Sequence, residues 1–189
     1  MARTKEFDPD SALRAAMDLF WRKGYEATSM QDLVDGLGIG RGSIYATFGS
    51  KHELYLRALD RYAEQSDVRA LDRLSRSGPA LPVVREFVRA FLADALTDGR
   101  GCLVTNTAVE CPRDRPLARL VEVSWDGLET AFASALTRAR NQSELAEDKD
   151  PRAIARFLVT FLQGLRVLAK VPNERRMRDA VDQALTLLD

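Results

Sequence analysis

Apolar residues recur at three- and four-residue spacing along nearly the whole chain and nowhere alternate convincingly over a strand's length, which is the helical period. Leu13, Ala16, Met17 and Phe20 predict a first helix to about Lys23, opened by Phe7, Asp8 and Pro9 as staple, cap and first-turn proline. Met30, Leu33 and Val34 predict a short second helix, begun by a capping box of Thr28 and Gln31 and stopped at Gly36-Leu37-Gly38. A third, Arg41 to Phe48, anchors Ile44, Tyr45 and Phe48 on one side and leaves Arg41, Gly42, Ser43 and Thr47 free. Gly49 ends it, and Ser50 with Glu53 opens a long helix to about Ser75, broken at Ser77-Gly78-Pro79.

Five further helices follow from the same period. Val84, Phe87, Val88, Phe91, Leu92 and Ala95 mark one, which ends in a turn over Asp98 to Gly101. A short helix from Cys102 stops before Pro112, and Leu117, Leu120, Val121, Trp125, Leu128, Phe132, Ala135 and Leu136 mark a long one. The acidic stretch from Asn141 to Asp150 reads as an exposed, mobile loop. Asp150-Pro151 opens a helix carrying Ile154, Phe157, Leu158, Phe161, Leu162, Leu165 and Leu168. Pro172 opens the last, with Met177, Val181, Leu185 and Leu188. The fold class is all-α, with nine helices.

Residues 28 to 53 carry the first functional signal. Two short helices joined by a glycine-marked turn, with a third directly after, form the layout of a helix-turn-helix, which places the start of its second helix against base edges. No acidic residue falls between Gly36 and His52, although Arg41, Lys51 and His52 do and the chain is balanced at 28 basic and 28 acidic side chains. Lys51 and the helix start beside it favour a phosphate by charge and by dipole. The glycines do not make a nucleotide loop: Ser43 stands where the dinucleotide fingerprint after Gly38-Ile39-Gly40 needs a third glycine or alanine, and no strand precedes them.

Leu13, Ala16, Leu19-Phe20, Gly24-Tyr25, Ala27-Thr28, Leu33, Gly38-Ile39, Ile44-Tyr45, Phe48, Lys51 and Glu53-Leu54 together closely resemble the N-terminal domain of the TetR family of bacterial transcriptional regulators. Leu33-Val34-Asp35 stands where the family more often has isoleucine-alanine, and Gly49 where proline is common. The resemblance implies a nine-helix regulator. Its helix-turn-helix domain would span residues 1–50, a long connecting helix 51–77, and a ligand-binding and dimerisation domain 78–189. It implies that Thr28, Arg41, Gly42, Ser43, Tyr45, Thr47, Lys51 and His52 lie near double-stranded operator DNA, with Tyr45 and Lys51 on phosphates. It also implies a two-fold homodimer built from the last two helices, a palindromic operator and release of DNA by a small molecule.

Composition narrows these expectations. With 189 residues, 46% hydrophobic and 30% charged, the chain is ordinary for a globular protein. The first 60 residues hold about as many acidic as basic side chains, so DNA affinity must come from a local patch. Arg3 and Lys5 in the leading tail either meet a phosphate or fray in solvent. No run approaches the roughly 18 apolar residues of a membrane span, no leader-like apolar stretch opens the chain, and a cytoplasmic location is expected.

In the C-terminal half, the apolar face of the eighth helix is wider than one internal contact requires, and Gly164 interrupts it at a cost of about 1 kcal/mol relative to alanine. Phe157, Phe161, Gly164, Leu165, Leu168, Val181 and Leu185 are the expected dimer residues. Phe87, Phe91, Cys102, Leu103, Asn106, Thr107, Trp125, Phe161 and Gln163 are the expected effector residues, and few inward charges point to an apolar, neutral ligand oriented by Asn106 or Gln163. Cys102, at a helix start after Arg100-Gly101, favours a reactive thiolate. The stretch Gly101–Glu110 resembles a branch of the family some of whose members respond to oxidants or electrophiles. The other reading of Cys102 is a small buried hydrophobe. Cys111, nine residues on, would stand about 13 Å away along a helix, too far for a disulfide. With one histidine and two distant thiols there is no expected metal or cofactor. His52 falls in the DNA-facing segment, so no nucleophile has an evident base and no enzyme is expected.

Overall fold

The computed structural model describes residues 7–97 and 99–189. Arg3 and Lys5, and Asp98 of the expected turn, lie outside them. Among the described residues there are nine α-helices, one terminal 3-10 turn and no strand. The helices are α1 (Pro9–Lys23), α2 (Met30–Leu37), α3 (Arg41–Phe48), α4 (Lys51–Leu74), α5 (Ala80–Thr97), α6 (Leu103–Glu110), α7 (Arg115–Asn141), α8 (Pro151–Leu168) and α9 (Glu174–Leu185). No described helix is long and apolar enough to cross a membrane.

The chain forms two compact units, but not along the expected boundaries. The first takes in the chain up to Ala63 together with Cys102–Val121, and the second takes Glu64–Gly101 and Glu122–Asp189. α6 joins the first unit because side chains over fifty positions away need it. The buried Tyr55 hydroxyl lies 2.7 Å from Thr107 Oγ1, which itself donates to the Leu103 carbonyl at 2.8 Å, so Tyr55 is the donor. Glu110 Oε2 accepts the Tyr25 N–H at 2.8 Å. Within the expected 78–189 domain, Cys102–Val121 therefore packs with the N-terminal helices.

The first unit is built around Phe20, Leu33, Ile44, Leu54, Tyr55 and Leu59, all at most 1% exposed. Phe20 meets Tyr55 edge to face at 4.9 Å between ring centres. α1 turns Ala12, Ala16 and Phe20 inward, while Leu13 and Met17, expected inside, are half-buried. The second unit packs α5, α7, α8 and α9 around Val84, Val88, Phe132, Leu136, Leu158, Leu162, Leu165 and Leu185.

The acidic stretch after Asn141 is not a free loop. Glu144 Oε2 accepts the Leu81 N–H at 2.7 Å, Gln142 Oε1 accepts that of Ala80 at 3.2 Å, and Gln142 Nε2 donates to the Gly78 carbonyl. Leu145 is 2% exposed. The stretch thus supplies the cap of α5, whose own preceding residue, Pro79, has no side-chain oxygen to offer. The expectation of a mobile loop is corrected accordingly.

Candidate nucleic-acid interface

The reading head starts from a firmly closed α2. Ser29 Oγ accepts the Asp32 N–H at 3.1 Å, and Asp32 Oδ2 accepts the Ser29 N–H at 2.7 Å, a complete capping box. Lys23 Nζ lies 2.6 Å from the other Asp32 oxygen. Lys23 first, and Ser29 after it, hold this carboxyl well below the usual carboxylate range. The box expected from Thr28 and Gln31 is therefore displaced by one residue. Thr28 is fully buried and donates its hydroxyl to the Gly24 carbonyl at 2.5 Å.

The turn between α2 and α3 depends on Gly38, whose φ of 67° and ψ of 22° are left-handed, a conformation that costs a side-chain-bearing residue about 1–2 kcal/mol. α3 is then pinned by Ile44 and Phe48, 0% and 3% exposed. Arg41, Gly42, Ser43 and Tyr45 stand exposed, and a Cβ at Gly42 would touch nothing within 4 Å. Gly40 precedes the helix and gives no side-chain cap, so the first N–H groups of α3 remain open to an outside acceptor. Thr47 is half-buried.

Gly49 closes α3 with φ of 85°. Proline, fixed near −65°, does not fit this backbone, which accounts for glycine at the position. Ser50 Oγ then accepts the Glu53 N–H at 3.0 Å and starts α4. Lys51 Nζ sits 4.4 Å above the Tyr25 ring centre, a cation–π contact that holds the ammonium at the helix start. Arg57, absent from the expected set, lies with its guanidinium 5.9 Å from the Phe48 ring centre and donates to the Thr47 carbonyl at 3.5 Å. Its charge is plain in the sequence, but nothing local tells that α4 returns it to the end of α3.

His52 is committed elsewhere. Its Nε2 lies 2.7 Å from Asp114 Oδ2, and both side chains are about one-third exposed or less. Thr28, fully buried, is therefore corrected as a contact group and His52 is engaged by Asp114, whereas Arg41, Gly42, Ser43 and Tyr45 stand exposed and Thr47 and Lys51 half-buried.

The expected effector residues fall into separate groups. Phe87, Phe91, Trp125 and Phe161 all pack on the core of the second unit, with Phe87 and Phe91 6.4 Å apart, and Gln163 is half-buried on α8. Leu103, Asn106 and Thr107 are buried members of the first unit. Thr107 is closed into its chain with Tyr55, which removes it as a ligand group. Cys102 is the half-buried N-cap of α6 and makes no side-chain cap bond. Burial, then Glu110, Glu26 and Asp114, push the Cys111 thiol up to about 11 despite Lys51. Both cysteines are free. One of the few charges on these faces is Arg166, whose guanidinium lies 4.1 Å from the Phe91 ring centre.

The dimer set divides as well. Leu165, Val181 and Leu185 are at most 2% exposed within the single chain and belong to its own core, which removes them from a partner's reach. Phe157 and Leu168 remain 43% and 41% exposed, with Gly164 open between them and Phe161 stacked on Phe157 at 5.9 Å.

Two family models match the chain. Residues 12–58 fit the bacterial regulatory proteins of the tetR family, and residues 80–185 fit the tetracyclin repressor-like C-terminal domain. An uncharacterized HTH-type transcriptional regulator of Bacillus subtilis, YezE, is 39% identical over the full length of both chains. The HTH-type transcriptional repressor ComR of Escherichia coli is 29% identical, with 89% of this chain and 82% of ComR covered. Among solved structures, the TetR family regulator CifR, in a cysteine-substituted form complexed with 26-bp double-strand operator DNA, superposes with a TM-score of 0.86 at 32% identity, covering all of both chains. These relatives are regulators of transcription, not enzymes. An exposed, uncapped α3 held by a sharp glycine turn, and matches that span the reading head and most of the chain after it, have one explanation: this chain is a DNA-binding transcriptional regulator and belongs to the TetR family.

Proposed function

We propose that the protein is a cytoplasmic repressor that grips a palindromic operator as a homodimer and lets go when a small molecule enters the second unit. The observation that carries the reading is the open first turn of α3: Arg41, Gly42 and Ser43 stand exposed in a stretch free of acidic residues. Arg41 and Ser43 would address base edges, the small Gly42 allows close approach, and Tyr45 and Lys51 would hold phosphates. A lone head of this size belongs to the non-specific range of about 10⁻⁴ to 10⁻⁶ M, and two heads reach the roughly 10⁻⁸ to 10⁻¹¹ M of specific regulators. The exposed Phe157, Gly164 and Leu168 on α8 supply the apolar contact that would bring a second copy.

The test is a gel shift with the protein's own promoter region against excess competitor DNA, run beside light scattering for the oligomer. A competitor-resistant shift by a dimer is the expected result. No shift, or a monomer that binds as tightly, overturns the reading.

A second reading makes Cys102 an electrophile sensor, favoured by its place at the start of α6 with its sulfur making no cap bond. Under that reading, Cys102→Ser abolishes operator release by an electrophile such as N-ethylmaleimide. Unchanged release in the variant eliminates it.

A further inference from the structure

Two donors buried in the second unit have nothing to donate to. Arg166 Nε and Trp125 Nε1 have almost no solvent contact and no hydrogen-bond partner. Buried polar groups are nearly always paired, so each such orphan asks for a missing acceptor. Arg138 provides the contrast: its Nε is also orphaned, but its Nη2 donates to the carbonyls of Leu74 and Arg76 at 3.0 and 3.2 Å, so its head is anchored. Among the described residues Arg166 makes no hydrogen bond and meets no carboxylate. Its recorded contact is the face of Phe91.

The placement of these groups is as telling as their lack of partners. Arg166 continues the row Ala155, Val159 and Leu162, the face that α8 otherwise fills with buried apolar residues. Trp125 precedes Leu128 and Phe132 on the core-facing row of α7, and Trp125, Phe91 and Phe161 all pack on one core. α5, α7 and α8 thus bring Phe91, an indole N–H without an acceptor and a guanidinium whose buried Nε has none to one core. A guanidinium presents a planar fork that matches two carboxylate oxygens, and an indole N–H can serve one of them further.

We propose that Arg166 and Trp125 form the polar end of the effector site and that the effector is an amphipathic monocarboxylate, its apolar body against Phe87, Phe91 and Phe161. One unpaired cation balances one negative charge, which selects a carboxylate over a doubly charged phosphate monoester. The proposal rests on the reading that the second unit takes a small effector, and it replaces the neutral ligand anticipated from sequence with an anionic one.

The experiment uses the full-length protein with phenylbutanoate and octanoate, each set against its primary amide, in titration calorimetry and in operator gel shifts. The acids bind about ten- to hundredfold tighter than the amides, the range expected for a charge-assisted contact, and quench fluorescence that Trp125→Phe removes. Arg166→Met keeps the apolar stem and abolishes the preference for acid over amide, while Arg166→Lys, the fallback should the methionine variant not fold, retains only part of it. Equal binding of acid and amide with release of operator defeats the anionic site but leaves a ligand-released regulator. Absence of binding by all four compounds overturns the site and removes support from effector release itself. Dissociation of Arg166→Met into monomers with acid binding unchanged assigns the guanidinium to assembly and also overturns the proposal.

Discussion

The starts of α2 and α5 are both closed by a carboxylate, but Asp32 lies three residues from the group it caps and Glu144 lies sixty-three away. The first unit closes its helix ends with neighbours in the chain: Asp8 for α1, Ser29 for α2, Gly38 after α2 and Ser50 for α4. The second unit closes α5 with residues that arrive only when α7 has been laid down. The surfaces differ in the same sense. α3 buries Ile44 and Phe48 and shows Arg41, Gly42, Ser43 and Tyr45, whereas α8 buries Leu158, Leu162 and Leu165 and still shows Phe157 and Leu168. A polar surface of this kind can be written locally, while an exposed apolar one is recognised only by what the chain leaves uncovered.

The strongest way to break this contrast is to charge the α8 surface. Phe157→Glu with Leu168→Glu, both exposed, should leave the fold intact, yield monomers in sedimentation and weaken operator binding by about a thousandfold, toward the non-specific range. Arg41→Glu, on the other surface, should leave the dimer intact and cost about a hundredfold in gel-shift affinity, the scale of one lost base contact with its charge reversed. If both variants lose assembly and DNA together, the division of labour between the two helices is wrong.

Smaller effects separate the local closures from the distant one. Gly49→Ala must hold φ of 85°, and its Cβ would collide with the Glu53 carboxylate. The carboxylate can swing away but the backbone cannot, so thermal melts should show a loss of about 1–3 kcal/mol. Glu144→Ala removes a cap from α5 and should cost about 1 kcal/mol, and α5 amides should then exchange faster than those of α2. Least of all, Asp32, whose folded pKa is depressed, adds stability that is present above its ordinary value of 3.8. That stability fades as pH falls through the lower folded value. Asp32→Asn should flatten this acid limb in a pH-dependent melt.

The legibility of the chain follows the same contrast. α3 could be read from Arg41 to Phe48 and α1 from Pro9 to Lys23 because caps, glycines and the apolar period act within a few residues. Even so, Thr28 reads as the cap that Ser29 provides, since two adjacent hydroxyl residues carry the same local signal. The sequence gives no sign that Asp114, sixty-two residues later, stands at the His52 ring. Leu165, Val181 and Leu185 lie on apolar faces, but periodicity cannot say which apolar neighbour belongs to the same chain. Arg166 is illegible for a related reason: an arginine on an apolar helix face reads as a solvated end until the ring beneath it is seen.

The residues 102–121 give the molecule a property of manufacture. Because Tyr25, His52 and Tyr55 find their partners in Glu110, Asp114 and Thr107, the reading head is not finished when its own helices have left the ribosome. It waits for about fifty more residues, spun through the start of the other unit, before its last hydrogen bonds exist. A fragment ending near residue 77 would carry the exposed side chains of α3 and still lack those closing pieces. The head is therefore a poor cassette for grafting onto another regulator unless α6 travels with it.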